Sequence, residues 1–411
     1  MESASLGEHA TLCAGSKIPH PYHCWRALPV APPADKAENH TLVYLDASSE
    51  VDRFMDGIRD VREIAVDTEG ASFHRYVDRI YLLQLTTGEQ SAIIDPLPIG
   101  SPAGLGALME DPDVQVVFHD ADYDLRLLRQ DYGWKARNVF DTRVAAQLTG
   151  LRSFGLAALL ERYFNVKLDK KHQRADWSRR PLSQDMLAYA SQDTRYLLEL
   201  RDLLRATLVE KSRLAWAAEE FRLLEQVRWE PDESGDAFMK MKGARDLTRR
   251  QLAVLGKVAG WRDAVAAELD RATFRVIGNE ALFEIAKRAP KTKEDLSRIR
   301  GMPRSMLDSR YRDILGAVAE GLAVPEASLP RFPRAARWER DPDYDARVAR
   351  LKAVRDQAAL DLDIDPGVLC ARDRLEALAR RNPKSREELA EVKELRDWQK
   401  EVLGERFLEV M

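Results

Sequence analysis

Between residues 41 and 150 the chain alternates short apolar runs with helical patterns, and after residue 153 almost everything reads helical. The runs are "TLVYL", "EIAVD", "IYLLQL", "SAIID", "VQVVFH" and "NVFD", rich in the β-branched and aromatic residues that suit a pleated sheet. Between them, "ADYDLRLLRQDYG" has helical spacing and is closed by Gly133, and Asp141-Thr142 caps the next helix. Strands interleaved with helices call for a sheet flanked by helices, followed here by an all-α region. At 411 residues there is room for two to four domains.

The helical region repeats itself. "IAKRAPKTKEDL" (285–296) matches "LARRNPKSREEL" (378–389) at six of twelve positions, without a gap and at a constant offset of 93 residues. Two copies of one small helical module follow from this. Turn-rich stretches at 232–238 and 323–344 read as linkers, and the Pro- and His-dotted residues 1–40 as a flexible arm. The expected division is an arm at 1–40, an α/β domain at 41–225, a first module at 246–322, a linker at 323–344 and a second, less regular module at 345–411.

A net charge of −4 rules out a polycation, so any nucleic-acid partner must be met by local basic patches or through metal ions. Cys13, Cys24 and Cys370 fit no zinc spacing, and their small number suits a reducing compartment. No apolar run approaches the ~20 residues of a membrane span. "MESASLGEHATLCAG" lacks the basic and apolar regions of a secretory signal. A cytoplasmic protein with no membrane association is the expectation.

The chemistry lies in three stretches. "EIAVDTE" ends a buried strand on two carboxylates; at period two, Asp67 and Glu69 project from the same side. Like charges there repel unless a cation lies between them, and hard oxygen donors suit Mg²⁺ or Mn²⁺. A solvated strand end has the same pattern. In "HDADYDLRLL", Asp120 reads as a helix cap, and Asp120 and Asp122 suit the positive helix N-terminus. Asp124 lies deeper and is the better ligand candidate. In "PLSQDMLAYASQDTRYLLEL", Ser183 caps a helix on which Tyr189 and Asp193 share a face at i, i+4. A tyrosine hydroxyl one turn from such a carboxylate can orient a water; an ordinary surface pair reads identically.

Taken in order, "DTE", "HDADYD" and "YASQD" resemble the three motifs of the DEDD exonuclease superfamily, in the subgroup with tyrosine in the third motif. "KKHQRADWSRRPLSQDMLAYASQDTRYLLEL" (170–200) is similar to ribonuclease D and to its eukaryotic relative, the nuclear-exosome 3′–5′ exonuclease. The repeated modules resemble HRDC domains, small helical nucleic-acid-binding units. The resemblance spans about residues 41–411. It implies a ribonuclease H-like fold with a mixed sheet of about five strands, then two all-α HRDC-like domains. It also implies metal-dependent 3′–5′ exoribonuclease activity on structured RNA precursors, tRNA first, that releases nucleoside monophosphates, and a monomeric protein. Asp67, Glu69, Asp124 and Asp193 would hold two divalent ions, Mg²⁺ or Mn²⁺, and Tyr189 would position the attacking water.

Contacts to RNA are expected from Phe73, His74, Tyr76 and Gln84 beside the first motif, although each also suits a buried core. His119 is expected to buttress the second motif. Lys170, Lys171, Arg174, Arg179 and Arg180 border the third motif and suit phosphate guidance as well as a solvated loop. In the first module Lys291, Lys293, Arg298, Arg300 and Arg304 form a basic cluster, whereas the matching "SREELAEVKELRD" is more acidic and is expected to bind RNA less. A DNA exonuclease or a non-catalytic RNA-binding scaffold remain as alternatives. The chain has no G-x-x-x-x-G-K-[ST] loop, which argues against a helicase.

Overall fold

The structure, a computed structural model, describes residues 41–88, 90–169, 171–228, 230, 237–333 and 341–411. The expected arm at 1–40, with Cys13 and Cys24, lies outside the described residues, as does Lys170.

All six apolar runs become strands of one mixed sheet: β1 (Thr41–Leu45), β2 (Glu63–Glu69), β3 (Leu82–Thr86), β4 (Gln90–Ile94), β5 (Gln115–Phe118) and β6 (Val139–Asp141). Their order is β1-β4-β3-β2-β5-β6, one strand more than expected. β2 is antiparallel to β3 and parallel to β5. Being central, β2 is covered on both faces, which is why its run reads as continuously apolar. Ile64 and Val66 pack on one face with Val51, Leu105 and Leu128. Ala65 packs on the other with Ala145, Leu200 and Leu204.

Alternation places Asp67 and Glu69 on the Ala65 face. Their cross-strand partners on β3 are Gln84 and Leu82. The Gln184–Arg195 helix lies over that face, packing on β2, β3 and β4, with Ala190 against Leu82 and Ile93. Ser183 starts this helix by accepting from the Met186 N–H. One helix therefore delivers the third motif onto the strand that carries the first.

After this domain in the chain, the helices Arg249–Glu268, Asn279–Arg288 and Arg304–Ala323 enclose Leu255, Val258, Leu282, Ile285 and Ile314. Gly321 lets the last crosses close to the first; a Cβ there would meet the Val254 Cα at 2.5 Å. The helices Tyr344–Asp361, Arg372–Arg381 and Asp397–Leu408 follow. The repeat reappears as geometry. Ala289 (φ 46°) and Asn382 (φ 50°) end equivalent helices, and Thr292 and Ser385 cap equivalent short helices by accepting from the Asp295 and Glu388 N–H groups.

One expected boundary needs correction. The first half of the linker is built into the first module: Leu329 is buried, and Arg249 donates to the Glu326 and Leu329 carbonyls. The second module packs into the α/β domain. Its Leu351, Leu369, Trp398 and Leu403 share one apolar core with Leu148, Leu204 and Phe221 of the α/β domain. Trp398 stacks on Trp216 at 4.8 Å and 15°. Glu219 accepts from the Asp397 and Trp398 N–H groups, capping that helix from the other domain.

Candidate active site

Carboxylate oxygens of Asp67, Glu69 and Asp193 lie within 4.8 Å of one another. Asp124 stands beside this set, its Oδ1 accepting from the Thr68 N–H at 3.0 Å and the Thr68 hydroxyl at 2.5 Å. Thr68 thus carries one bond of the first motif across to the second. Burial pushes the Asp67, Glu69 and Asp124 carboxyls well above the ordinary carboxylate range, and the neighbouring carboxylates push the same way. Burial and then Asp124 raise Asp193 to about 7. Such a cluster must take up protons or cations to relieve the repulsion. Its donors are all hard oxygens, which fits a divalent cation of the Mg²⁺ class.

Tyr189 sits one turn before Asp193. Burial first, then the Asp193, Glu69 and Asp67 carboxylates, raise its pKa, so the phenol keeps its proton. Its ring is braced by Trp177 (6.1 Å between centroids) and by the edge of His172 (6.0 Å). Sequence reasoning assigned neither brace a role, although Trp177 lies within the "ADW" segment. His119 places Nδ1 2.9 Å from the Thr142 hydroxyl, and burial followed by Arg143 lowers its pKa to about 4, keeping it neutral.

The expected RNA contacts divide. Phe73, Lys171, Arg174 and Arg179 are exposed near the third motif; Lys171 pairs with Asp185, Arg179 pairs with Asp176, and Arg174 lies over the Phe73 ring. His74 is half-buried, its Nε2 3.0 Å from the Arg174 carbonyl, and the Tyr76 hydroxyl donates to Asp263 of the first module. Lys291 and Arg304 are exposed on that module and Lys293 is half-buried; Lys293 and Arg304 both face Asp308.

Two of the expected RNA contacts do not fit that role. Gln84 is fully buried opposite Asp67 and cannot line a pocket for RNA. Its amide partly offsets the burial of Glu69, yet neither amide atom closes a hydrogen bond within normal limits. Arg180 is tied down: its guanidinium pairs with both oxygens of buried Asp95 and donates to the Tyr81 and Trp177 carbonyls. Asp120 is also no cap. It adopts φ 69° and pairs with Arg143, while Asp141 accepts from the Ala121 N–H.

A mixed sheet presenting clustered carboxylates under a tyrosine-bearing helix defines a 3′–5′ exonuclease, and the family model of that description matches residues 42–209. HRDC domain models match residues 251–318 and 345–411. Ribonuclease D of Gluconacetobacter diazotrophicus is 30% identical over 370 residues, covering 89% of this chain and 92% of that protein. The crystal structure of Escherichia coli RNase D, described as an exoribonuclease involved in structured RNA processing, aligns with a TM-score of 0.69 at 27% identity, over 89% of this chain and 97% of that one. The catalytic core of RRP6 from Trypanosoma brucei aligns with a TM-score of 0.63 at 29% identity, over 72% of this chain and 84% of its own. The chain belongs to the ribonuclease D family. It is a 3′–5′ exoribonuclease whose substrate is nucleic acid. Among the described residues, no helix is long and apolar enough to cross a membrane.

Proposed function

We propose that this exoribonuclease trims the 3′ ends of structured RNA precursors, tRNA first, releasing nucleoside monophosphates, and that it works as a monomer in the cytoplasm. The observation that carries the mechanism is the convergence of Asp67, Glu69 and Asp193, with Asp124 held beside them by Thr68. These four carboxylates would hold two divalent ions, Mg²⁺ or Mn²⁺. Cations bound there supply Lewis-acid stabilisation of the charge that builds on the phosphate oxygens.

The chain's own groups do the rest. Tyr189, protonated and braced by Trp177, orients the attacking water through its hydroxyl. Thr68 fixes Asp124, and Gln84 faces Glu69 from the neighbouring strand. Phe73 and His74 border the site, with Lys171, Arg174 and Arg179 supplying positive charge for the phosphate backbone. Lys291, Lys293 and Arg304 extend this charge onto the first module, and the more acidic second module binds RNA less. The carboxylates touch no base, so cleavage depends little on sequence.

The test uses 5′-labelled RNA and DNA strands with purified full-length protein in Mg²⁺, Mn²⁺ or EDTA. One-nucleotide ladders on RNA that vanish in EDTA are expected. Cleavage that persists in EDTA contradicts the metal site, and a preference for DNA contradicts the substrate.

A further inference from the structure

We propose that Phe73 of the catalytic domain and Phe274 of the first HRDC module together form a stacking subsite for unpaired bases of the RNA strand, just upstream of its 3′ end. This rests on RNA passing the loop after Glu69, as the proposed function requires.

Phe73 lies four residues beyond Glu69, and Ala71 between them packs on Trp177 and Ala190 beside Tyr189. Phe274 lies on the short Thr273–Val276 helix of the first module. The rings meet edge to face, with centroids 6.2 Å apart and planes at 78°. They are 44% and 50% exposed, an unusual degree for large aromatics at a domain junction. In an edge-to-face pair the edge of one ring covers a face of the other, and the Arg174 guanidinium lies over the Phe73 ring at 5.2 Å, so bases would meet the ring surface that these contacts leave exposed. Aromatic faces beside a guanidinium are what binds unpaired bases without regard to sequence.

The backbone beneath the pair is fixed, so the rings need little ordering when a base arrives. The Ala272 N–H donates to the His74 carbonyl at 3.2 Å. Arg75 donates to Asp270 at 3.1 Å, and the Tyr76 hydroxyl donates to Asp263 at 2.8 Å. These bonds tie the loop to the first module. Holding the junction therefore does not require the rings to be exposed. The module accordingly contributes to the substrate path at the level of bases, not only through phosphate-binding charge.

The experiment follows release of the first nucleotide from single-stranded RNAs carrying one abasic residue, walked back from the 3′ end. Wild type, Phe73→Ala, Phe274→Ala and Phe274→Trp are compared as full-length proteins. In wild type, an abasic residue at one or two adjacent positions should raise KM roughly tenfold, the scale of one lost stacking contact. Phe274→Ala should raise KM on unmodified RNA to a similar extent, more than it lowers kcat, and the abasic residue should then cost nothing further. Phe274→Trp should restore the wild-type profile. Degradation of unmodified RNA with a flat abasic profile overturns the subsite alone, as does an abasic penalty that persists in full in Phe274→Ala. Wild type that fails to degrade the unmodified RNA overturns the proposed function and the subsite with it.

Discussion

Among individual residues, the carboxylate cluster dominates. Burial and mutual repulsion raise Asp67, Glu69 and Asp124, so the metal-free fold bears an electrostatic penalty there. Asp67→Asn should therefore raise the Tm of EDTA-treated protein, while lowering turnover by ~10² or more. Addition of Mn²⁺ should raise the wild-type Tm and leave that of the variant nearly unmoved. Calorimetry in both conditions checks this; a lower metal-free Tm in the variant contradicts it. Tyr189→Phe should cost roughly 10² in kcat with RNA affinity retained, because only the hydroxyl is lost. An unchanged kcat would make Tyr189 a packing residue. The pairing of Asp67 with Glu69 was legible, because period two needs only local sequence. The Thr68–Asp124 bond, spanning 56 positions, and the placing of Gln84 opposite Asp67 were not, because both depend on which strands and helices become neighbours.

Among elements, the loop before the Gln184–Arg195 helix is anchored to the sheet. Arg180 locks it to the sheet through Asp95, which also accepts from the Tyr44 hydroxyl. Arg180→Ala should leave a buried carboxylate unpaired and cost about 3 kcal/mol. Urea unfolding measures this; loss of RNA affinity with stability intact would return Arg180 to the phosphate-guiding role. In sequence, Arg180 looks no different from Lys171, Arg174 and Arg179. Charge patterns do not distinguish a solvated arginine from one aimed at a buried aspartate 85 positions away. Strand starts, the Gly133 stop and the Ser183 and Asp141 caps were legible, because capping is settled within four residues. Asp120 failed as a cap because its left-handed backbone turns its side chain toward Arg143.

Across the whole molecule, the two copies of one module have different attachments. The first meets the catalytic domain beside the site, through the loop that carries Phe73 to Tyr76. The second merges with the domain's core on the side of Phe221 and Trp216. The repeat was legible in sequence; its docking was not, because apolar surface looks the same whether it faces its own module or a neighbour. Truncation at residue 344 should expose that core and produce an unstable or aggregating protein. Trp398→Ala should cost about 3–5 kcal/mol without altering the metal response. A folded 1–344 fragment with wild-type Tm would contradict the shared core.

The central claim is that Asp67, Glu69, Asp124 and Asp193 together hold the divalent cations that cleavage requires. Isothermal titration of Mn²⁺ into full-length wild type, Asp67→Asn and Asp193→Asn, each paired with degradation of 5′-labelled RNA, tests it most directly. The account predicts that wild type binds Mn²⁺ and produces a one-nucleotide ladder that EDTA abolishes, and that both variants lose binding and ladder together while remaining folded. Undiminished Mn²⁺ binding in the variants, or a ladder formed in EDTA, would contradict it.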